Sequence, residues 1–441
     1  MVVACLSPSA LAQGVSASPT PSDAGAQFRS GPSRTGVAAN AAPRTLPSQR
    51  WRFATGGRIV SSATEAAGIL YVGSDDGHVY ALDAANGRLR WTQRTRGPVP
   101  STPAVADGRL HVLSYDGRLH SFDAATGAPL WQFATGGERR FEARGLHGNS
   151  PRTQTMADPF DVFLSSPAVA GGAVYFGSSD GHLYALDAAT GALRWKQRTG
   201  DVVHASPAVA EGRVVVGSWD GRLYAYDATS GAELWRVQTG LDPLMSNQQG
   251  FQSSPAIAGG VVYVGCRDAH LYAFDLATGT ERWRFSTGAS WVVGSPAVAD
   301  GRVYFNTSDS RMVHAVDAAS GRTLWQNQAA AYMFSSPVVA GDVLLVGVLD
   351  GSLLALDRAS GRPLWSFRTE ASRANASRAL TADGRFNSAW NFDSAWHDAM
   401  VVGFERQSSI GSVFATPLVL DGLIVFGSAD GRLYALSPHR R

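Results

Sequence analysis

The sequence predicts an all-β chain closed into an eight-bladed β-propeller of four-stranded antiparallel blades. Three observations carry this. A unit of about 40 residues recurs eight times, each unit holds short apolar or alternating stretches separated by Gly-closed turns, and the last unit lacks a tryptophan that the start of the array supplies. The 48 glycines and a charged fraction of only 17% suit short strands and tight turns, and no long stretch has helical periodicity.

The ruler is a tryptophan at Trp51, Trp91, Trp131, Trp195, Trp235, Trp283, Trp325 and Trp365, with spacings of 40, 40, 64, 40, 48, 42 and 40. The unit Thr416 to Leu436 stops before its tryptophan, whereas Trp51 has no unit in front of it. The N-terminal strand at Trp51 is therefore expected to complete the C-terminal blade, so that residues 51–437 form one closed ring without an open sheet edge.

Each unit begins with an inner strand carrying Ser-Pro-Ala or a variant, as at Ser166-Pro167-Ala168 and Ser206-Pro207-Ala208. Small residues suit a crowded hub, and proline is tolerated at a strand edge that needs no donor. An Asp-Gly hairpin turn follows, for example Asp76-Gly77 and Asp180-Gly181, because both turn positions then hold positive φ readily. These aspartates read as turn chemistry ahead of a calcium ring. The third and fourth strands carry Ala-x-Asp, three residues, Gly, three residues, Trp, as in Ala185, Asp187, Gly191 and Trp195. The Asp accepts local backbone donors, the Gly takes a left-handed position, and the indole packs between blades.

Ahead of the array, Met1 to Ala12 is small and apolar, and Ala10-Leu11-Ala12 has the form of a signal-peptidase site. Residues 1–12 are expected to be a truncated export signal. Val2-Val3-Ala4-Cys5 also resembles a lipobox, which would place a lipid anchor on Cys5. Residues 13–50 are rich in Ala, Pro and Ser and are expected to be a tether or a strap, with Gln27 to Val37 docking on the body. Cys266 has no disulfide partner within the array. A net charge of +2 lacks the footprint of a general nucleic-acid binder, and no 18-residue apolar stretch predicts a transmembrane span. The chain is expected to be monomeric.

Three insertions interrupt the ruler, at 136–162, 241–250 and 369–411. By strand order all lie in connections from an outer strand to the next blade, so one face is decorated and is the expected functional face. Four further tryptophans, Trp219, Trp291, Trp390 and Trp396, fall on that face. The first reading makes them the small core beneath the insertions; the second makes them a flat lining for a ring-shaped ligand or a partner anchor. Two units lose the turn glycine. Arg267-Asp268-Ala269 and Asp309-Ser310-Arg311 put other residues there, and a strained turn is one consequence. His204 and Gln252 are polar where most units enter the hub with an apolar residue. No metalloprotease, P-loop or nucleophile-elbow motif is present.

The Ala-x-Asp-x3-Gly-x3-Trp pattern resembles the tryptophan-docking repeat of pyrroloquinoline-quinone-type eight-bladed propellers, a group that holds quinoprotein alcohol dehydrogenases and the outer-membrane assembly lipoprotein BamB. For the dehydrogenases the resemblance implies pyrroloquinoline quinone over a tryptophan and a Ca2+ ion held by carboxylates and an Asn; Trp291, Glu142, Asn247, Arg311 and Asp309 stand on the appropriate face. Their adjacent Cys pair and a haem-attachment motif are missing here. For BamB the resemblance implies an exported scaffold in the periplasm or at the outer membrane, whose face loops contact an envelope protein partner. The expectation is a non-catalytic binding or scaffold propeller, with the quinoprotein dehydrogenase as the alternative and a small-ligand sensor or carrier as the third reading.

Overall fold

The computed structural model describes residues 26–240, 250–382, 387–391 and 396–438. Residues 1–12, Cys5 included, and nearly all of the second insertion with Asn247 lie outside them. Eight four-stranded antiparallel sheets are present, seven of them built in chain order from inner to outer strand. The eighth takes Leu418–Leu420, Leu423–Gly427 and Arg432–Ser437 and is completed by the N-terminal strand Ser48–Ala54, with Trp51 opposite Ala435. Ring closure thus rests on a non-local pairing that ties the two ends of the array together.

Seven of the eight docking indoles hydrogen-bond to the next blade. The Trp195 Nε1 donates to Ala228 O at 3.1 Å, and the Trp235 Nε1 donates to Leu276 O at 2.9 Å. The motif glycine lies against that ring: Gly231 has φ +71°, and a Cβ there would stand 2.6 Å from Cδ2 of Trp195. Glycine is needed both for the dihedral and for the approach of the indole. Trp365 has no motif blade to meet, and its Nε1 donates instead to Pro43 O at 2.9 Å. The turn aspartates are spent locally. Asp180 Oδ2 accepts from Tyr184 Oη at 2.6 Å and from Gly136 N at 2.7 Å, latching one blade to the connection that precedes it.

The Ser-Pro-Ala motif makes a ring at the hub. The Ser62 N–H donates to Thr102 Oγ1 (3.1 Å), that of Thr102 to Ser166 Oγ (3.0 Å), and that of Ser166 to Ser206 Oγ (2.8 Å). The sequence continues through Ser254, Ser295 and Ser336 at 2.9 Å each, and Thr416 returns to Ser62 at 2.9 Å.

Below this ring, away from the insertions, the segment from Ala26 to Ala42 crosses the hub and pairs with inner strands. Val105, Val209, Ile257, Val298 and Val339 donate their N–H groups to the carbonyls of Ala26, Pro32, Ser33, Thr35 and Gly36 at 2.7–3.0 Å. At Val169 the amide side chain of Gln27 does the same work, donating to its carbonyl at 3.0 Å and accepting its N–H at 2.8 Å. Inner strands of six consecutive blades thereby find partners for backbone groups that would otherwise face the channel. Among the described residues, no helix is long and apolar enough to cross a membrane.

Candidate functional site

The decorated face is capped. From the first insertion, Glu142–Arg144 pairs with Thr155–Ala157 in a hairpin. The third insertion supplies α1 (Glu370–Ala379), α2 (Ser388–Asn391) and α3 (His397–Ser409). The two insertions meet: Ser150 bridges to Trp396, and the rings of Phe160 and Phe404 stand 5.8 Å apart, edge to face. Beneath them Val60, Phe160, Trp291, Phe334, Phe404 and Phe414 belong to one apolar cluster that fills the mouth of the hub.

At the centre of the cap Arg267 is 1% exposed, lying 4.3 Å from the ring of Trp219 and 4.4 Å from that of Trp291. Its Nη1 pairs with Asp158, and its Nε donates to Gln252 Oε1 at 3.0 Å. The far face of Trp219 stacks on Phe141 at 4.3 Å and 11°. The His147 ring stands 5.2 Å from that of Trp291, with its Nε2 2.9 Å from Asp158 Oδ1. Burial pushes the Asp158 carboxyl up, but Arg267 and His147 more than reverse this and hold it below the usual carboxylate range. A guanidinium out of water needs its paired carboxylate, and two aromatic faces add to that.

A second buried network adjoins it. His204 Nδ1 is 2.8 Å from Asp161 Oδ1, and its Nε2 is 2.7 Å from Ser179 Oγ. Ser179 Oγ in turn donates to Glu138 Oε2 at 2.7 Å. Aspartate, histidine and serine in this order resemble a hydrolytic triad, but the serine is 3% exposed and a second carboxylate takes its proton. Burial lowers the His204 pKa, and the charges of Asp161 and Glu138 outweigh it, so the net shift is upward. Glu138 itself is pushed up by burial despite its hydroxyl and backbone donors.

The structure thus brings Trp219, Arg267, Trp291 and Gln252 into one stack and sets His204 beside it. The first reading of the tryptophans describes Trp219 and Trp291: they pack the cap. Trp390 is half-buried against the core between the sixth and seventh blades. Trp396, just ahead of α3, is 60% exposed. Glu142 is exposed on the hairpin, 3.8 Å from Arg139. Arg311 holds φ 58° and Ala269 φ 68°, so the two units without a turn glycine keep its left-handed backbone. Arg311 Nη1 donates to Ala330 O at 3.4 Å, and Asp309 Oδ2 accepts from Ser308 Oγ at 2.9 Å, both apart from the stack.

A flat quinone needs a free aromatic face. Here Arg267 lies over both indoles, while Phe141 stacks on Trp219 and the His147 ring stands 5.2 Å from that of Trp291. The residues present do not fit pyrroloquinoline quinone at this position. Among the described residues, no group of three His, Cys, Asp or Glu side chains is arranged to hold a metal ion.

What remains open is a groove of about 260 Å³ lined by Arg58, Asp75, Tyr115, Arg140, Val162 and Phe404. Arg58 reaches Asp75 at 2.9 Å and Glu405 at 3.2 Å, and the buried Tyr115 Oη has no hydrogen-bond partner among the described residues. Sequence reasoning missed this groove. Its signal is the residue immediately before the turn aspartate, which is Asp75, Tyr115, Ser179, Trp219, Arg267, Leu349 and Ala429 in seven units. In these seven units that position lies at the hub mouth, so its variety inside an otherwise regular repeat encodes the site.

The family model for outer membrane protein assembly factor BamB matches residues 37–161, 153–287 and 220–385. BamB of Xanthomonas campestris pv. campestris is 29% identical over 146 residues, covering 33% of this chain and 35% of the relative. Quinohemoprotein alcohol dehydrogenase ADH IIB of Pseudomonas putida is 36% identical over 86 residues, 17% of this chain and 12% of that one. These matches reach only about a third or less of the curated relatives' lengths. Among solved structures, BamB from Moraxella catarrhalis superposes with a TM-score of 0.65 at 18% identity, over 89% of this chain and 100% of that one. A europium-containing methanol dehydrogenase gives a TM-score of 0.69 at 14% identity, over 95% and 98%. At such identities the superpositions speak to fold alone. With matched spans running unbroken from residue 37 to residue 385, the chain belongs to the family of outer membrane protein assembly factor BamB.

Proposed function

We propose that this propeller is a non-catalytic binding scaffold of the bacterial cell envelope, exported to the periplasm or held at the outer membrane, that takes a protein partner on its capped face. The observation that carries this reading is the filled hub mouth. The insertions spend their aromatic faces and buried charges on each other and on the blade loops beneath them, which builds a rigid platform in place of a reaction chamber. Trp396 and Val402, 60% and 46% exposed on the third insertion, offer apolar anchors on that platform. The names of the BamB relatives support a role in assembling outer-membrane proteins.

The test joins two measurements. A photo-crosslinker at position 396 or 402 in envelope preparations should capture a component of the outer-membrane assembly machinery. The purified protein mixed with pyrroloquinoline quinone and Ca2+ should show neither a bound chromophore nor dye-linked alcohol oxidation. A chromophore with turnover overturns the scaffold reading. The groove with its unpartnered Tyr115 Oη favours a second reading, a carrier of a small ligand bearing a polar group on an apolar body. Saturable binding of such a molecule, lost in Tyr115→Phe, would establish it.

A further inference from the structure

The hub holds positive charge that nothing in the described chain answers. Arg29 and Arg34 are 5% and 0% exposed. Their hydrogen bonds go to backbone carbonyls alone: Arg29 to Arg34, Pro296 and Pro337, and Arg34 to Phe28, Ser166 and Pro207. Burial lowers both guanidinium pKa values to about 9, Arg34 being lowered further by Arg29, and no carboxylate opposes this. Carbonyl oxygens satisfy the N–H groups but do not neutralise two buried cations.

A second, independent observation lies one residue above. Seven hydroxyls of the hub ring accept a backbone N–H, and among the described residues none of them donates to an acceptor. They line a cavity of about 30 Å³ that Phe28 also lines, and Arg34 covers the Phe28 ring at 5.3 Å. Buried O–H groups without acceptors call for a guest.

We infer that the hub cavity binds one small monovalent anion of halide size, which receives hydroxyl donors from the ring and balances the arginines of the N-terminal segment. Water would satisfy the hydroxyls and leave the charge unanswered. A cation would meet the same positive field, and the ring's oxygens already accept N–H groups. At about 30 Å³ the cavity has room for a guest or two of water size, which favours a halide over sulfate or phosphate. The anion thereby couples docking of the segment from Ala26 to Ala42 to halide concentration.

Bromide is the probe. Crystals grown in sodium bromide should show an anomalous peak in the hub within hydrogen-bond distance of ring hydroxyls. Replacing gluconate by chloride at equal ionic strength should raise Tm by roughly 2 °C at ten times the dissociation constant. Ser206→Ala combined with Ser254→Ala should lose that halide increment whatever its baseline Tm. A hub that contains only water in bromide crystals, or a Tm equal in chloride and gluconate, overturns the inference, and both measurements use the unaltered chain.

Discussion

Replacing Arg267 by Met should destabilise the protein by about 6 kcal/mol, about 4 of it because removing one member of a buried ion pair strands the other. Asp158 is 0% exposed and would keep only His147 and the Phe160 N–H as partners. Two desolvated cation–π contacts, at 4.3 and 4.4 Å, are lost as well, at ~2 kcal/mol each, but methionine sulfur against the same indoles recovers about half. Adding Asp158→Asn should restore about 2 kcal/mol, since the amide keeps an acceptor for His147 and Phe160 without the charge. The pH dependence has a definite sign. Wild-type Asp158 is held low, so its contribution is present above the unfolded pKa of about 4 and is lost as pH falls through the lower folded value. In Arg267→Met, burial is no longer overcome, so the penalty should be greatest at neutral pH and shrink on acidification. Urea denaturation read by tryptophan fluorescence, from pH 3.5 to 7.5, measures all of this. A single variant within 1 kcal/mol of wild type, or a double variant no more stable than the single, would refute the account.

Three further outcomes follow from the same geometry. Gly231→Ala, at φ +71° and 2.6 Å from the Trp195 ring, should cost about 3 kcal/mol, whereas Gly212→Ala, at φ +70° with nothing within 4 Å, should cost only about 1, as calorimetry of the two variants will show. Deleting residues 1–42 removes acceptors from six inner-strand N–H groups, at ~1 kcal/mol each, and should abolish slow hydrogen exchange at Val209, Ile257 and Val298; retained protection would contradict the pairing. His204 has a raised folded pKa, so its contribution is fully present below about pH 6.5 and lost as pH rises through the folded value. Thermal melts should therefore decline as pH rises above about 6.5, and His204→Gln should flatten that slope.

The repeat was legible because its chemistry is local. An Asp-Gly turn, a left-handed glycine four residues before a tryptophan and a small-residue hub strand each follow from dihedral preference and strand period, and together they place eight blades. The cap was only partly legible. Trp219, Arg267, Trp291, Gln252 and His204 stood out as departures from the ruler, yet their partners Asp158, Asp161, His147 and Glu138 sit in an insertion that has no period to read against. Arg58, Asp75, Tyr115 and Arg140 share one groove through ring curvature, although 82 residues separate the first from the last.

By itself the sequence determined the class, the number of blades and the closing strand, since these depend on spacing and on backbone preferences that each unit repeats. Only the tertiary structure decided what the exceptions do. Whether an extra tryptophan lines a ligand slot or sandwiches a guanidinium depends on which loop lies over it. The same holds for Arg29 and Arg34: their residue type announces charge, and only the meeting of the N-terminal segment with six inner strands leaves that charge buried against carbonyls. Long-range contacts of this kind leave no period in the chain, because their energy comes from burial and pairing across sequence separations that no local preference encodes.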